Sequence, residues 1–171
     1  TSLAIPQDTM SLSAHINELG IINAEADFGK QLYSWKRFLL SGAFFRFDVG
    51  TRETADGFDA SHIALRDIRI GIDSVLYYGR NLNAVIRECS MNERSGLSLS
   101  SLNGRIFADS SLIRVPELHL LTPHSEINLG ARTYWELVEK PTTSHLSAYI
   151  NAYIGKQDVM LFAGSLPEKF K

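Results

Sequence analysis

The chain has a single cysteine among its 171 residues. Cys89 alone excludes an internal disulfide and any all-cysteine metal site, and it decides nothing about redox compartment. Charge of either sign is not in excess. The 17 lysines and arginines stand against 19 aspartates and glutamates, giving a formal net charge of −2 and a pI of about 6.2. The basic residues are scattered, Lys36-Arg37 being the longest run. The clustered cations that grip a phosphate backbone are therefore missing, and nucleic acid is rejected as a partner. Long hydrophobic runs are missing as well. The longest apolar stretch, Phe38 to Phe45, falls far short of the roughly 20 residues that span a bilayer. No basic segment leads into an apolar one near the start, so no signal peptide is legible. The first residue is Thr1 rather than methionine, which suggests a piece cut from a longer chain or a processed one.

Catalytic signatures are equally scarce. There is no GxSxG, GxxxxGK[ST], HExxH or EF-hand loop. His119 and His124 straddle a Thr-Pro turn, but two imidazoles without a carboxylate or thiol at fixed spacing do not specify a metal. His15, His62 and His145 lie on or beside expected strands. Cys89 reads as a small buried apolar residue. Asp67 and Asp73 have acid–base chemistry, yet isolated carboxylates on strand edges are expected to be solvated. Glu93-Arg94-Ser95-Gly96 reads as a charged turn in which Gly96 takes an unusual backbone angle. Trp35 and Trp135 are expected to pack rather than to stack on a sugar. The expectation is a non-enzymatic chain with no catalytic residue, no metal and no cofactor.

What the chain does have is alternation. From Ser95 to Ala131 apolar residues recur at every second position in short bursts: Leu97 and Leu99, Leu102, Ile106, Leu118 and Leu120, Ile127 and Leu129. Turn formers lie between them: Asn103-Gly104, Asp109-Ser110-Ser111 and Thr122-Pro123. A period of two marks a strand with one apolar side, and several such strands joined by short turns make an antiparallel meander. Elsewhere Phe38 to Val49 alternates, while Phe28 to Arg37 reads as a turn with a short edge strand. Ile63 and Leu65 are out of phase with Ile68, Ile70 and Ile72, which places a bulge or corner at Arg66-Asp67. The same slip falls between Leu99 and Leu102. Repeated slips are expected where a sheet curls.

An internal repeat settles the ambiguous stretch Asn81 to Met91. Leu12-Ser13-Ala14-His15-Ile16-Asn17, Leu82-Asn83-Ala84-Val85-Ile86-Arg87 and Leu146-Ser147-Ala148-Tyr149-Ile150-Asn151 share one pattern. The third copy continues its alternation to Ala152 and Ile154, so all three read as strands. Near the end, Asp158 has the character of an N-cap for a short helix near 158–163 whose apolar residues would plug one end of the sheet.

The expected fold is all-β and mainly antiparallel: a long curved or rolled sheet with a short helix near the C-terminus. Residues 1–10 read as a lead-in, 11–78 as a first β module and 79–171 as a second, continuous with the first. The inward apolar set is expected to be Leu12, Ile16, Ile63, Leu65, Ile70, Ile72, Leu82, Ile86, Leu97, Leu99, Ile106, Leu118, Leu120, Ile127, Leu129, Leu146, Ile150 and Ile154.

An ordered series of short segments carries a family resemblance. Phe58-Asp59, His62-Ile63, Leu65, Ile68, Ile72, Glu93-Arg94-Ser95-Gly96-Leu97, the Leu99–Leu102 pair, Leu118 to Ser125 and Asp158 together resemble the TamB-like translocation and assembly proteins of Bacteroidetes, within the AsmA-like superfamily. The likeness covers most of the chain from Phe58 onward, and 11–57 more loosely. It implies an internal periplasmic segment of a parent protein anchored in the inner membrane. It also implies a trough of the β-taco type whose apolar strip carries phospholipid or other lipid acyl chains to the outer membrane, or assists protein assembly there. An outer-membrane barrel protein would be met through a C-terminal domain that this sequence does not contain. Self-association of the segment is a further expectation. Two other readings stand beside it: a β-sandwich or solenoid module for adhesion or glycan binding, and a hydrolase, which would need a convergent polar cluster.

Overall fold

A computed structural model of the chain describes residues 10–49, 57–136 and 145–163. The lead-in expected over 1–10 lies outside them, apart from residue 10. Eleven strands form one antiparallel sheet, open and curled, with a short helix after the last strand. The strands are β1 (Met10–His15), β2 (Glu18–Ile22), β3 (Glu25–Asp27), β4 (Leu32–Val49), β5 (His62–Tyr78), β6 (Asn81–Glu93), β7 (Ser98–Leu99), β8 (Ser101–Ala108), β9 (Leu112–Leu121), β10 (Glu126–Tyr134) and β11 (Leu146–Tyr153); the helix α1 is Lys156–Ala163. The order across the sheet is β1-β4-β5-β6-β8-β9-β10-β11. Strands β2 and β3 lie end to end with β1 along the same margin of β4, and β7 pairs with β6.

The expected boundary between two β modules falls in the two-residue turn Gly79-Arg80. Strands β5 and β6 pair directly across it, from Tyr78↔Asn81 to Leu65↔Glu93. The repeat copies at Leu12, Leu82 and Leu146 each fall on a strand, β1, β6 and β11. Strand β4 runs unbroken for 18 residues, so the irregular stretch expected at 28–37 shrinks to the turn before Leu32, with β3 as the short edge strand. Asn103-Gly104, read as a turn, instead lies inside β8. There the glycine serves close approach: a Cβ on Gly104 would sit 2.5 Å from the Glu117 carbonyl oxygen, where β8 and β9 shift register.

The phase changes have physical causes. Asp67 takes a left-handed backbone (φ 55°) where the β5–β6 register breaks between Arg66 and Arg69. Ser74 (φ 55°) and Gly42 (φ 63°) mark two further irregularities in β5 and β4. Each extra residue adds local twist and bend, which is how one sheet this wide curls.

The core is thin. Among the described residues the buried hydrophobic ones are Ala43, Ile68, Val75 and Ala108, each 4–8% exposed, and no large side chain is fully buried. Most apolar side chains are half-buried, covered by their neighbours in the same layer. A Gly104→Ala substitution tests the tight β8–β9 crossing. It is expected to lower the unfolding free energy by about 1–3 kcal/mol, read as a drop in the urea midpoint. An unchanged midpoint would contradict the close approach.

Candidate apolar groove

Directly opposed residues of paired strands project to the same face of a sheet. Followed pair by pair, the register therefore draws rows across the molecule. One row runs Ile21, Phe38, Ile72, Ile86, Gly104, Leu118, Leu129, Ile150, crossing eight strands without a polar side chain. A second runs Ala26, Tyr33, Tyr77, Leu82, Ala108, Ile113, Thr133, Leu146. A third, shorter one runs Leu102, Leu120, Ile127, Ala152. These rows hold Ile72, Leu82, Ile86, Leu118, Leu120, Ile127, Leu129, Leu146 and Ile150 of the expected inward set.

The other expected residues are placed as follows. Ile106 stands opposite Ala84, and Ile70 between Leu40 and Cys89. Leu12 and Ile63 both face Phe47, and Leu65 faces Phe45. Leu99 faces Met91. Leu97 lies in the β6–β7 turn, Ile16 in the β1–β2 junction and Ile154 just beyond β11. None of the set is buried; Leu12 is 66% and Ile150 67% exposed. Phe38, Phe45 and Phe47 of β4 and the residues Leu19, Ile21, Leu102, Tyr33 and Tyr77 belong to the same rows or pairs but stand outside the expected set. Their alternation was visible; the phase shifts at Asn17, Gly42 and Ser100 hid which face they share.

At one end of the sheet the third row borders a cavity of about 430 Å³ with an almost wholly apolar lining. Leu97, Leu99, Leu120, Ile127 and Ile154 line it, and Val159 of α1 forms a wall. A second basin of about 480 Å³ lies across β9, β10 and β11, lined by Arg114, Arg132, Ser147 and Tyr149 among others. Arg114 and Arg132 are directly opposed, so this basin is mixed in character and more polar than the first.

The helix is held over the sheet end by a buried polar lock. Asp158, expected as an N-cap, instead sits in the first turn of a helix that begins at Lys156. Its Oδ2 accepts hydrogen bonds from the hydroxyls of Thr122 and Ser125 in the β9–β10 turn. Ser125 Oγ accepts in turn from Gly155 N–H at 3.0 Å, and Thr122 Oγ1 from Ser125 N–H at 2.8 Å. Gly155 packs so tightly on the His124 carbonyl that no side chain fits there. At the other end of α1 the Leu161 carbonyl accepts from Phe58 N–H at 3.0 Å. The hydroxyl donors of Ser125 and Thr122 hold the Asp158 carboxyl below the ordinary carboxylate value, since they favour the charged form.

Two other carboxylates are buried: Asp73, expected in solvent, and Glu93, expected in a charged turn. Asp73 lies between Arg37, whose Nε donates at 3.1 Å, and Arg87. Burial raises its carboxyl, but the two guanidiniums outweigh that and keep it low. Glu93 anchors its turn by accepting from Ala64 N–H at 3.1 Å and Ser95 N–H at 2.6 Å. There too burial pushes upward and the hydrogen bonds prevail. Gly96 does take a positive φ, 96°. Asp67 is exposed and accepts from Asn92 at 3.1 Å. It and Asp73 are thus engaged separately, in a side-chain hydrogen bond and in ion pairs.

Of the histidines, His119 pairs with Glu126 at 3.0 Å and His62 is buried against Asp48 at 3.2 Å. Among the described residues no group of three or more His, Cys, Asp and Glu could hold a metal. Trp135 is half-buried and donates Nε1–H to the Asp109 carbonyl at 2.6 Å, tying down the β8–β9 turn. Trp35 is half-buried opposite Val75. Cys89 is half-buried, and burial pushes its thiol pKa up.

Because the folded Asp158 carboxyl titrates below its unfolded value of about 3.9, its stabilisation is complete above that pH. It fades as pH falls through the lower folded value. Asp158→Ala is expected to cost about 1–3 kcal/mol at pH 7 and to flatten the loss of thermal stability below about pH 4. Melting curves at pH 7 and in this acid range check it; an acid slope as steep as that of the unsubstituted protein would contradict the lock. The chain matches no protein-family model, no curated protein and no solved structure.

Proposed function

We propose that this chain is a lipid-carrying segment: an open sheet whose apolar rows shelter acyl chains while polar head groups stay in water. The observation that carries the reading is the single curled layer, in which an apolar row eight strands wide runs beside a shorter one whose Leu120 and Ile127, with Val159, wall a cavity of about 430 Å³. Binding pockets for small molecules span about 300–1,000 Å³, so a length of hydrocarbon fits. Each CH₂ removed from water contributes about 0.8 kcal/mol, and no side chain need do chemistry. A continuous row lets a tail move from strand to strand without crossing a polar barrier. Together with the TamB-like series from Phe58 to Asp158, this supports placing the segment in the periplasm, within a parent anchored in the inner membrane. Phospholipid traffic to the outer membrane, or protein assembly there with a barrel partner, is the corresponding role. No described helix is long and apolar enough to cross a membrane.

A second reading, glycan binding or adhesion, is favoured by one feature. Phe28, Tyr33 and Tyr77 form a ring cluster, with centroids 5.8 and 6.1 Å apart, beside the exposed Tyr78. It belongs to the second apolar row, however, so it also suits a hydrocarbon.

Purified protein is expected to carry lipid in native mass spectra and, once stripped, to take up a fluorescent fatty acid. Leu120→Glu, which puts a charge into the cavity, is expected to weaken uptake at least about tenfold, or 1.4 kcal/mol. A lipid-free mass with no uptake, alongside a positive glycan array, would overturn the proposal in favour of the second reading.

A further inference from the structure

The two margins of the sheet differ in kind. One carries β1, β2 and β3 in succession along β4. Asn17 and Asn23 (φ 51°) interrupt it, and Glu18, Glu25 and Asp27 punctuate it. Breaks and inward or flanking charges are the devices that keep an edge from recruiting another strand. The opposite margin is β11, whose only strand partner among the described residues is β10. All eight of its residues are exposed, Leu146 at 59% and Tyr153 at 72%. None is charged and none is proline. Among the described residues nothing pairs with the outer backbone donors and acceptors of this edge.

Its sequence is self-complementary. We propose that β11 pairs antiparallel with β11 of a second copy of this chain, across a two-fold axis at Ile150. In that register Ile150 faces the partner's Ile150, Ala148 the partner's Ala152, and Leu146 the partner's Ile154, all on the face that carries the apolar rows. Tyr149 faces the partner's Asn151 and Ser147 the partner's Tyr153 on the other face. The row Leu118–Leu129–Ile150 then runs on into the partner's Ile150 without a polar interruption. Such a contact uses the same patch on both copies and closes on itself. Pairing of β11 with β1 of the next copy would leave edges free and grow without limit. Among the described residues β1 also offers just six before the break at Asn17 and Glu18.

The test uses the full chain, stripped of lipid, in a Cys89→Ala background. Sedimentation equilibrium is expected to give a monomer–dimer equilibrium with no larger species. Asn151→Lys brings like charges to diagonal positions about 7–8 Å apart, and is expected to raise the dissociation constant at least tenfold while circular dichroism stays unchanged. Under copper-phenanthroline oxidation, Ile150→Cys is expected to form an intermolecular disulfide and Ala148→Cys to remain monomeric, since only the first stands opposite itself. A monomer at all concentrations, a ladder of oligomers growing with concentration, or cross-linking of Ala148→Cys as readily as Ile150→Cys would each overturn the pairing. None of these readouts requires lipid, so they stand or fall apart from the transport proposal.

Discussion

One constraint governs this molecule: every described strand belongs to a single layer. In a two-layer protein an apolar side chain is covered from above by the facing layer. Here it is covered mainly from the side, by the residue opposed to it on the next strand. That is why Ile72, Ile86, Leu118 and Leu129 are half-buried rather than buried. Full burial of a side chain of this size contributes about 1.5–3 kcal/mol, and a part of that remains unused along each row. The unused part is what an acyl chain would recover.

A sheet with so little core needs other fasteners. The ladder of backbone hydrogen bonds is one. The buried carboxylates are another: Asp73 ties β4 to β6 through Arg37 and Arg87, Glu93 ties the β6–β7 turn to β5, and Asp158 ties α1 to the β9–β10 turn. Each is satisfied by charged or N–H and O–H donors, the condition under which a buried charge does not destabilise. The bulges at Gly42, Asp67 and Ser74 supply the curl, and α1 walls one end. Among the described residues no second strand layer covers the apolar face.

Much of this was legible in the residues. Period-two alternation identified the strands, the shared Leu-x-Ala-x-Ile pattern assigned β6, and the slip from Leu65 to Ile68 located the bulge at Asp67. What was not legible depends on pairing between distant strands. Gly104 looked like a turn residue because its reason, the approach of the Glu117 carbonyl from β9, is thirteen positions away along the chain. Asp158 looked like a helix cap because the hydroxyls of Thr122 and Ser125 that claim it come from another turn. Leu102 and Phe38, Phe45 and Phe47 of β4 fall outside the expected set because a bulge moves the apolar face from odd to even positions, and no local pattern says across which strand the row continues.

The central claim is that the row-bearing face, rather than the arginine-bearing one, stays open to hydrocarbon. Photo-cross-linking with a diazirine-bearing fatty acid, followed by peptide mapping, reads this directly. Adducts are predicted on Leu97, Leu99, Leu120, Ile127, Ile154 and Val159. Adducts confined to the basin around Arg114, Arg132 and Tyr149, or none above background, would contradict it.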